Sequence, residues 1–126
     1  MIEDNPGNPA ALNNLAWLYQ QQGDLASARE LAERAFNLTP GSAQIADTLG
    51  WILLTQGEGG KALAYLSAAN YAAPLNPNIQ YHLAVAFQRL GRPADARAAL
   101  ERLLDSGVSF ADKTDAEKLL QDLKRG

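Results

Sequence analysis

The sequence holds one histidine, His82, and no cysteine. General acid–base catalysis and metal binding both need clustered ionisable groups. A lone histidine with no second one at ligand spacing supplies neither, and no nucleophile stands beside a base in a recognisable motif. Without cysteine there is no disulfide framework, thiolate zinc site or thiol nucleophile, although the compartment stays unread. Gly57-Glu58-Gly59-Gly60 is glycine-rich, but no strand precedes it and no flanking signature completes a phosphate cradle. It reads as a loose turn, in which Gly59 and Gly60 weaken the following helix by up to about 1 kcal/mol each relative to Ala. These residues predict a protein that is not an enzyme and carries no metal or cofactor. The chemistry that remains is recognition. Trp17, Trp51 and Tyr81 offer large apolar surfaces, and Asn and Gln side chains accompany them.

The elements that position these side chains follow from composition and period. Ala (23) and Leu (20) dominate the 126 residues, whereas Val and Ile together number six. Ala and Leu favour helices and the scarce β-branched residues favour strands, so the chain is expected to be all-α. The balance of 14 acidic against 11 basic residues argues against nucleic acid as a partner. No apolar run reaches the length of a membrane span, and the first residues contain no apolar stretch of the signal-peptide kind.

A repeat of 34 residues organises the chain. Pro6, Pro40 and Pro74 are 34 apart, as are Gly23, Gly57 and Gly91, Ala28, Ala62 and Ala96, and Leu15, Leu49 and Leu83. Three units follow, 9–42, 43–76 and 77–110, with no insertion between them. Each reads as two helices. Leu12, Leu15, Ala16 and Tyr19 form the i, i+3, i+4, i+7 stripe of the first, and Ala28, Leu31, Ala32 and Ala35 the inner face of the second. Asn8-Pro9, Ser42 and Asn76-Pro77 are start signals, as are Asp24 and Arg92-Pro93 for the second helices. The three periodic glycines end the first helices. Ala16, Gly50 and Ala84 share one repeat position, where small side chains let two helices cross closely. Arg29 with Glu33, Glu30 with Arg34, and Arg97 with Glu101 stand at i, i+4 and contribute about 0.2–0.5 kcal/mol per pair.

This pattern resembles the tetratricopeptide repeat (TPR) family. The family favours Leu at unit position 7, a small residue at 8, Gly at 15, Ala at 20 and 27, and Pro at 32. Leu15, Ala16, Gly23, Ala28, Ala35 and Pro40 match in unit one, and Leu49, Gly50, Gly57, Ala62, Ala69 and Pro74 in unit two. Unit three matches at Leu83, Ala84, Gly91 and Ala96 but departs at Gln80, in a position that is otherwise large and apolar, and at Val108, in the place of Pro. The resemblance implies a right-handed superhelix of three helix-turn-helix repeats whose first helices line a concave groove. It places Asn13, Trp17, Gln20, Asp47, Trp51, Leu54, Tyr81, His82, Val85, Gln88 and Arg89 on that groove. Both tryptophans occupy unit position 9, and the competing reading packs them against the next repeat. Chaperone-binding members clamp a C-terminal carboxylate with Lys and Asn, then Asn, then Lys and Arg. The matching residues here are Asn13, Trp17, Thr48, Asn78 and His82, none of the required type, so an anionic terminus is not the expected ligand.

The ends of the chain carry further expectations. Pro6 falls where a preceding unit would end, so residues 1–8 read as the remnant linker of a longer array, the alternative being an N-terminal extension with a chance proline. Residues 111–126 read as a capping helix with Ala116, Leu119, Leu120 and Leu123 on one face, anchored by Phe110. The leading function is a scaffold that binds a protein or peptide segment in the groove. Strings such as Leu12-Asn13-Asn14-Leu15-Ala16-Trp17 also resemble exosortase/PEP-CTERM-associated bacterial TPR lipoproteins. That resemblance implies an extracytoplasmic or periplasmic setting and an exopolysaccharide-associated, glycan-binding alternative; without it the setting is cytoplasmic. A third reading is a structural spacer and cap. Self-association through Leu12, Leu15 and Leu31 or their neighbours at the N-terminal end is a further expectation.

Overall fold

A computed structural model of the chain describes residues 8–125. The linker reading of residues 1–7 therefore lies outside the described residues. Seven α-helices, and no strand among the described residues, run as α1 (Pro9–Gln21), α2 (Leu25–Leu38), α3 (Ala43–Thr55), α4 (Gly59–Ala72), α5 (Pro77–Arg89), α6 (Pro93–Asp105) and α7 (Lys113–Arg125). They form hairpins α1/α2, α3/α4 and α5/α6, with α2 on α3, α4 on α5 and α7 closing on α6. The first helices also touch in sequence, α1 with α3 and α3 with α5, which makes one continuous face. This is an all-α repeat solenoid.

The helix boundaries have local causes. The side chains of Asn8, Ser42 and Asn76 accept hydrogen bonds from the backbone N–H groups of Ala11, Ile45 and Ile79 at 3.1–3.2 Å, each satisfying a donor that a helix start leaves free. Asp24 does the same for Ser27. Arg92 makes no side-chain cap, and Pro93 starts α6 without one. The first helices stop at Gly23, Gly57 and Gly91, whose φ values of 84°, 85° and 73° suit a residue without Cβ.

The core lies between and beneath the hairpins. Leu12, Leu49, Ile52, Leu53, Leu66, Ile79, Leu100 and Leu103 are its largest fully enclosed side chains. Gly50 allows a close crossing of α3 and α4: a Cβ there would lie 2.7 Å from Leu66 Cγ. The expectation of a loose turn at Gly57–Gly60 is corrected in one respect. Gly59 is a packing point, since a Cβ on it would meet Leu90 Cδ2 of the next repeat at 2.8 Å, whereas Gly60 faces open space. Leu12 and Leu31 are enclosed in their own core, and Leu15 is partly buried against the same cluster, whereas the neighbouring Leu18 is exposed. In α7 only Ala116 is fully buried, with Leu119, Leu120, Leu123 and Phe110 packed around it.

Charge pairs form both along the helix register and across repeat boundaries. Arg29 bonds Glu33 at 3.2 Å as its spacing predicts, and Arg97 meets Glu101 at 3.5 Å, but Glu30 and Arg34 form no ion pair. Arg29 also reaches across the repeat boundary to Glu58, whose carboxylate Lys61 approaches at 3.3 Å. The hydrogen bond from Arg29 holds the Glu58 carboxyl below the usual carboxylate range. Because the folded value is the lower one, this pair stabilises the fold above about pH 4.3, the ordinary glutamate value, and the contribution disappears as pH falls through the lowered value. Glu58→Gln is thus expected to unfold at lower urea than the parent at neutral pH. The two curves should merge in acid; a gap that persists there would disprove the assignment.

Candidate functional site

The continuous face of first helices carries the recognition residues, and two successive junctions on it can be compared position by position. Asp47, Trp51 and His82 follow Asn13, Trp17 and Thr48 by one repeat length. At the junction of α3 and α5 the three side chains close on each other. His82 Nδ1 and Asp47 Oδ1 are 2.7 Å apart, with both side chains largely shielded from water. The imidazole lies flat on the Trp51 indole, with ring centroids 4.2 Å apart and an angle of 25° between planes. Trp51 is partly buried against the core as a result.

At the junction of α1 and α3 the same positions stay open. Thr48 is too short to stack on an indole, and its Oγ1 donates to the Gln44 carbonyl within its own helix. Trp17 is left 52% exposed. Asn13 is 5% exposed, and its Oδ1 has no hydrogen-bond partner among the described residues. A buried acceptor without a donor costs about 1–3 kcal/mol. These residues, with Asn14, Leu18 and Gln44, line a cavity of about 360 Å³. A second hollow of about 230 Å³ adjoins it along Asn13, Asn14 and Gln44 and extends to Ser42 and Ile45.

The remaining sequence-predicted groove residues separate. Leu54 and Val85 are buried in the core and are not groove contacts; their helix face turns inward at those points. Tyr81 packs between the repeats and α7, touching the clusters that hold Leu119 and Phe110. Burial pushes its phenol pKa up, and the carboxylates of Asp115 and Asp112 add to the effect. Arg89 donates to the Leu54 carbonyl at 3.3 Å and so ties α5 to the end of α3. Gln88 is exposed and Gln20 partly buried. The groove positions of the repeat include Gln44 but not Leu18, whose signal was its place one turn from Asn14 on the same helix. Among the described residues no group of three or more His, Asp or Glu could hold a metal ion. Among the described residues no helix is long and apolar enough to cross a membrane.

A family model described as Tetratricopeptide repeat matches residues 1–52 and 53–123. The chain belongs to the tetratricopeptide repeat family. TPR domains are typically non-enzymatic protein-interaction modules. Solved structures agree on the fold. The first TPR of Spaghetti (RPAP3), bound to an HSP90 peptide, superposes with a TM-score of 0.82 at 14% identity, over 93% of this chain and 90% of that one. The Sgt2 TPR domain from Aspergillus fumigatus gives 0.83 at 17% identity, over 93% and 77%. The Yersinia enterocolitica type III secretion chaperone SycD, in complex with a peptide of the translocator YopD, gives 0.79 at 18%, over 91% of each chain. No curated protein matches the sequence. At these identities the likeness is one of fold. It carries neither the exosortase-associated resemblance nor a compartment.

Proposed function

We propose that this TPR chain is a non-enzymatic scaffold that binds an extended protein segment on its first-helix face, with the α1/α3 junction as the principal contact. One observation carries the reading. The positions that Asp47, Trp51 and His82 close at one junction are left open by Asn13, Trp17 and Thr48 at the junction before it. The vacant place is that of an imidazole: a flat group that stacks on an indole and gives an N–H to the oxygen beside it. A partner side chain with a planar N–H group fills it, satisfying Asn13 Oδ1 while covering Trp17. The peptide complexes of the RPAP3 and SycD domains support a peptide as the class of ligand.

A carboxylate terminus is disfavoured. The position that a clamp arginine would occupy holds His82, already engaged by the Asp47 carboxylate. Screening the immobilised chain against a displayed peptide library, in free-acid and amidated forms, and against a panel of exopolysaccharides tests the reading. Peptides carrying His, Arg or Trp should be captured equally with either terminus. Capture that needs the free carboxylate, capture of polysaccharide alone, or no capture at all would each overturn it.

A further inference from the structure

A second opening lies between repeats two and three and shares no residue with the first. Between repeats one and two, Phe36 of α2 and Tyr65 of α4 meet edge to face, with ring centroids 5.0 Å apart and planes at 89°. One repeat later these positions hold Asn70 and Ala99. Both aromatic rings are therefore lost at the boundary of repeats two and three, and the space they would occupy is a cavity of about 550 Å³ lined by both replacements. Leu83 and Leu103 supply apolar lining. Gln80 and Val108, at which the last repeat departs from the family pattern, line it as well.

The lining is not uniformly apolar. Arg102 is the only charged residue on it, and this guanidinium makes no ion pair among the described residues. Its counterpart one repeat earlier is Ala68, so the charge belongs to this junction and not to the repeat pattern. Leu75 lies at the cavity while 87% exposed, so a ligand confined to the hollow would leave it bare. A polypeptide running past the mouth would cover it.

We infer that this cavity is a second docking site, which receives an aromatic side chain from an acidic partner segment. The ring takes the space that Phe36 and Tyr65 fill one junction earlier, and a neighbouring carboxylate pairs with Arg102. Ring and charge together specify the ligand: an apolar side chain alone leaves Arg102 unused, and an acidic strand without a ring leaves the cavity empty. The inference does not depend on the first-helix face.

The chain itself contains the control. Asn70→Phe with Ala99→Tyr rebuilds the ring pair of the earlier junction inside the cavity. The probe is acetyl-Glu-Glu-Phe-Glu-Glu-amide, with the same peptide carrying Ala for Phe as reference, titrated against the isotope-labelled full chain. The Phe peptide should shift the amide resonances of Ala99, Leu103 and Arg102 and leave those of Trp17 in place. The Ala peptide should not shift them. Arg102→Gln should weaken binding about threefold, the range expected of one exposed ion pair. The double variant should melt higher than the parent and lose the response. Equal shifts with both peptides, shifts centred on Trp17, or full binding retained by the folded double variant would each overturn the inference. If the double variant fails to fold, the Arg102→Gln titration decides, and unchanged affinity there also overturns it.

Discussion

Leu66→Ala is expected to destabilise the chain by about 3–5 kcal/mol, in the upper part of the range for leucine truncations in cores. Leu66 is fully buried in α4 and faces the point where α3 carries Gly50 instead of a side chain. Truncation leaves a cavity there, and Gly50 has no atoms that could move in to fill it. The backbones would have to approach instead, against the neighbouring contacts of the fully buried Leu49 and Leu53. The middle hairpin also joins the outer two, so its loss uncouples repeats that rely on nearest neighbours. The melting temperature should fall by on the order of 10 °C, because 1 kcal/mol moves a domain of this size by a few degrees. Thermal and urea denaturation followed by circular dichroism measure this. Leu75→Ala, at a position 87% exposed, is the control and should stay within about 0.5 kcal/mol of the parent. A loss under about 1 kcal/mol for Leu66→Ala would mean that the crossing collapses freely and that Leu66 does not hold α3 and α4 apart at Gly50.

The second large effect concerns binding without stability. Trp17→Ala should weaken the captured peptide about 30-fold, the loss expected when a central aromatic anchor worth about 2 kcal/mol is truncated. Its unfolding should change by less than about 0.5 kcal/mol, because the indole is half exposed and supports little of the core. Trp51→Ala behaves differently. It removes the surface on which His82 rests and so lowers stability, with a smaller effect on the peptide. Thr48→His provides the sharper comparison. It places an imidazole where the later junction has His82, so the chain's own ring covers Trp17 and competes with the ligand. Calorimetry on the three variants, with parallel melting curves, separates these outcomes. Peptide affinity within twofold of the parent for both Trp17→Ala and Thr48→His would remove the α1/α3 junction from the proposed function.

Much of the architecture was legible in the sequence because it is encoded locally. A cap such as Asn8 or Ser42 bonds a backbone N–H three residues away, and Gly57 adopts a positive φ whatever surrounds it. The 34-residue period repeats such local choices, so helix order and the small residues at the crossings could be read directly. The candidate site was only partly legible. Unit position 9 holds Trp in both of the first two repeats, and nothing within either repeat distinguishes Trp17 from Trp51. Leu54 and Val85 were placed on the groove by position and lie in the core.

What separates the two tryptophans comes from the next repeat. His82 covers Trp51 and binds Asp47, whereas Thr48 can do neither for Trp17 and Asn13. The Arg29–Glu58 pair and the cavity left by Asn70 and Ala99 have the same origin. The helices, their order and their spacing are written into the amino-acid order, since each depends on residues within about one turn. Which surfaces stay open emerges only once the repeats stack, because exposure in a solenoid is set by side chains on the neighbouring repeat, about 30 residues away along the chain.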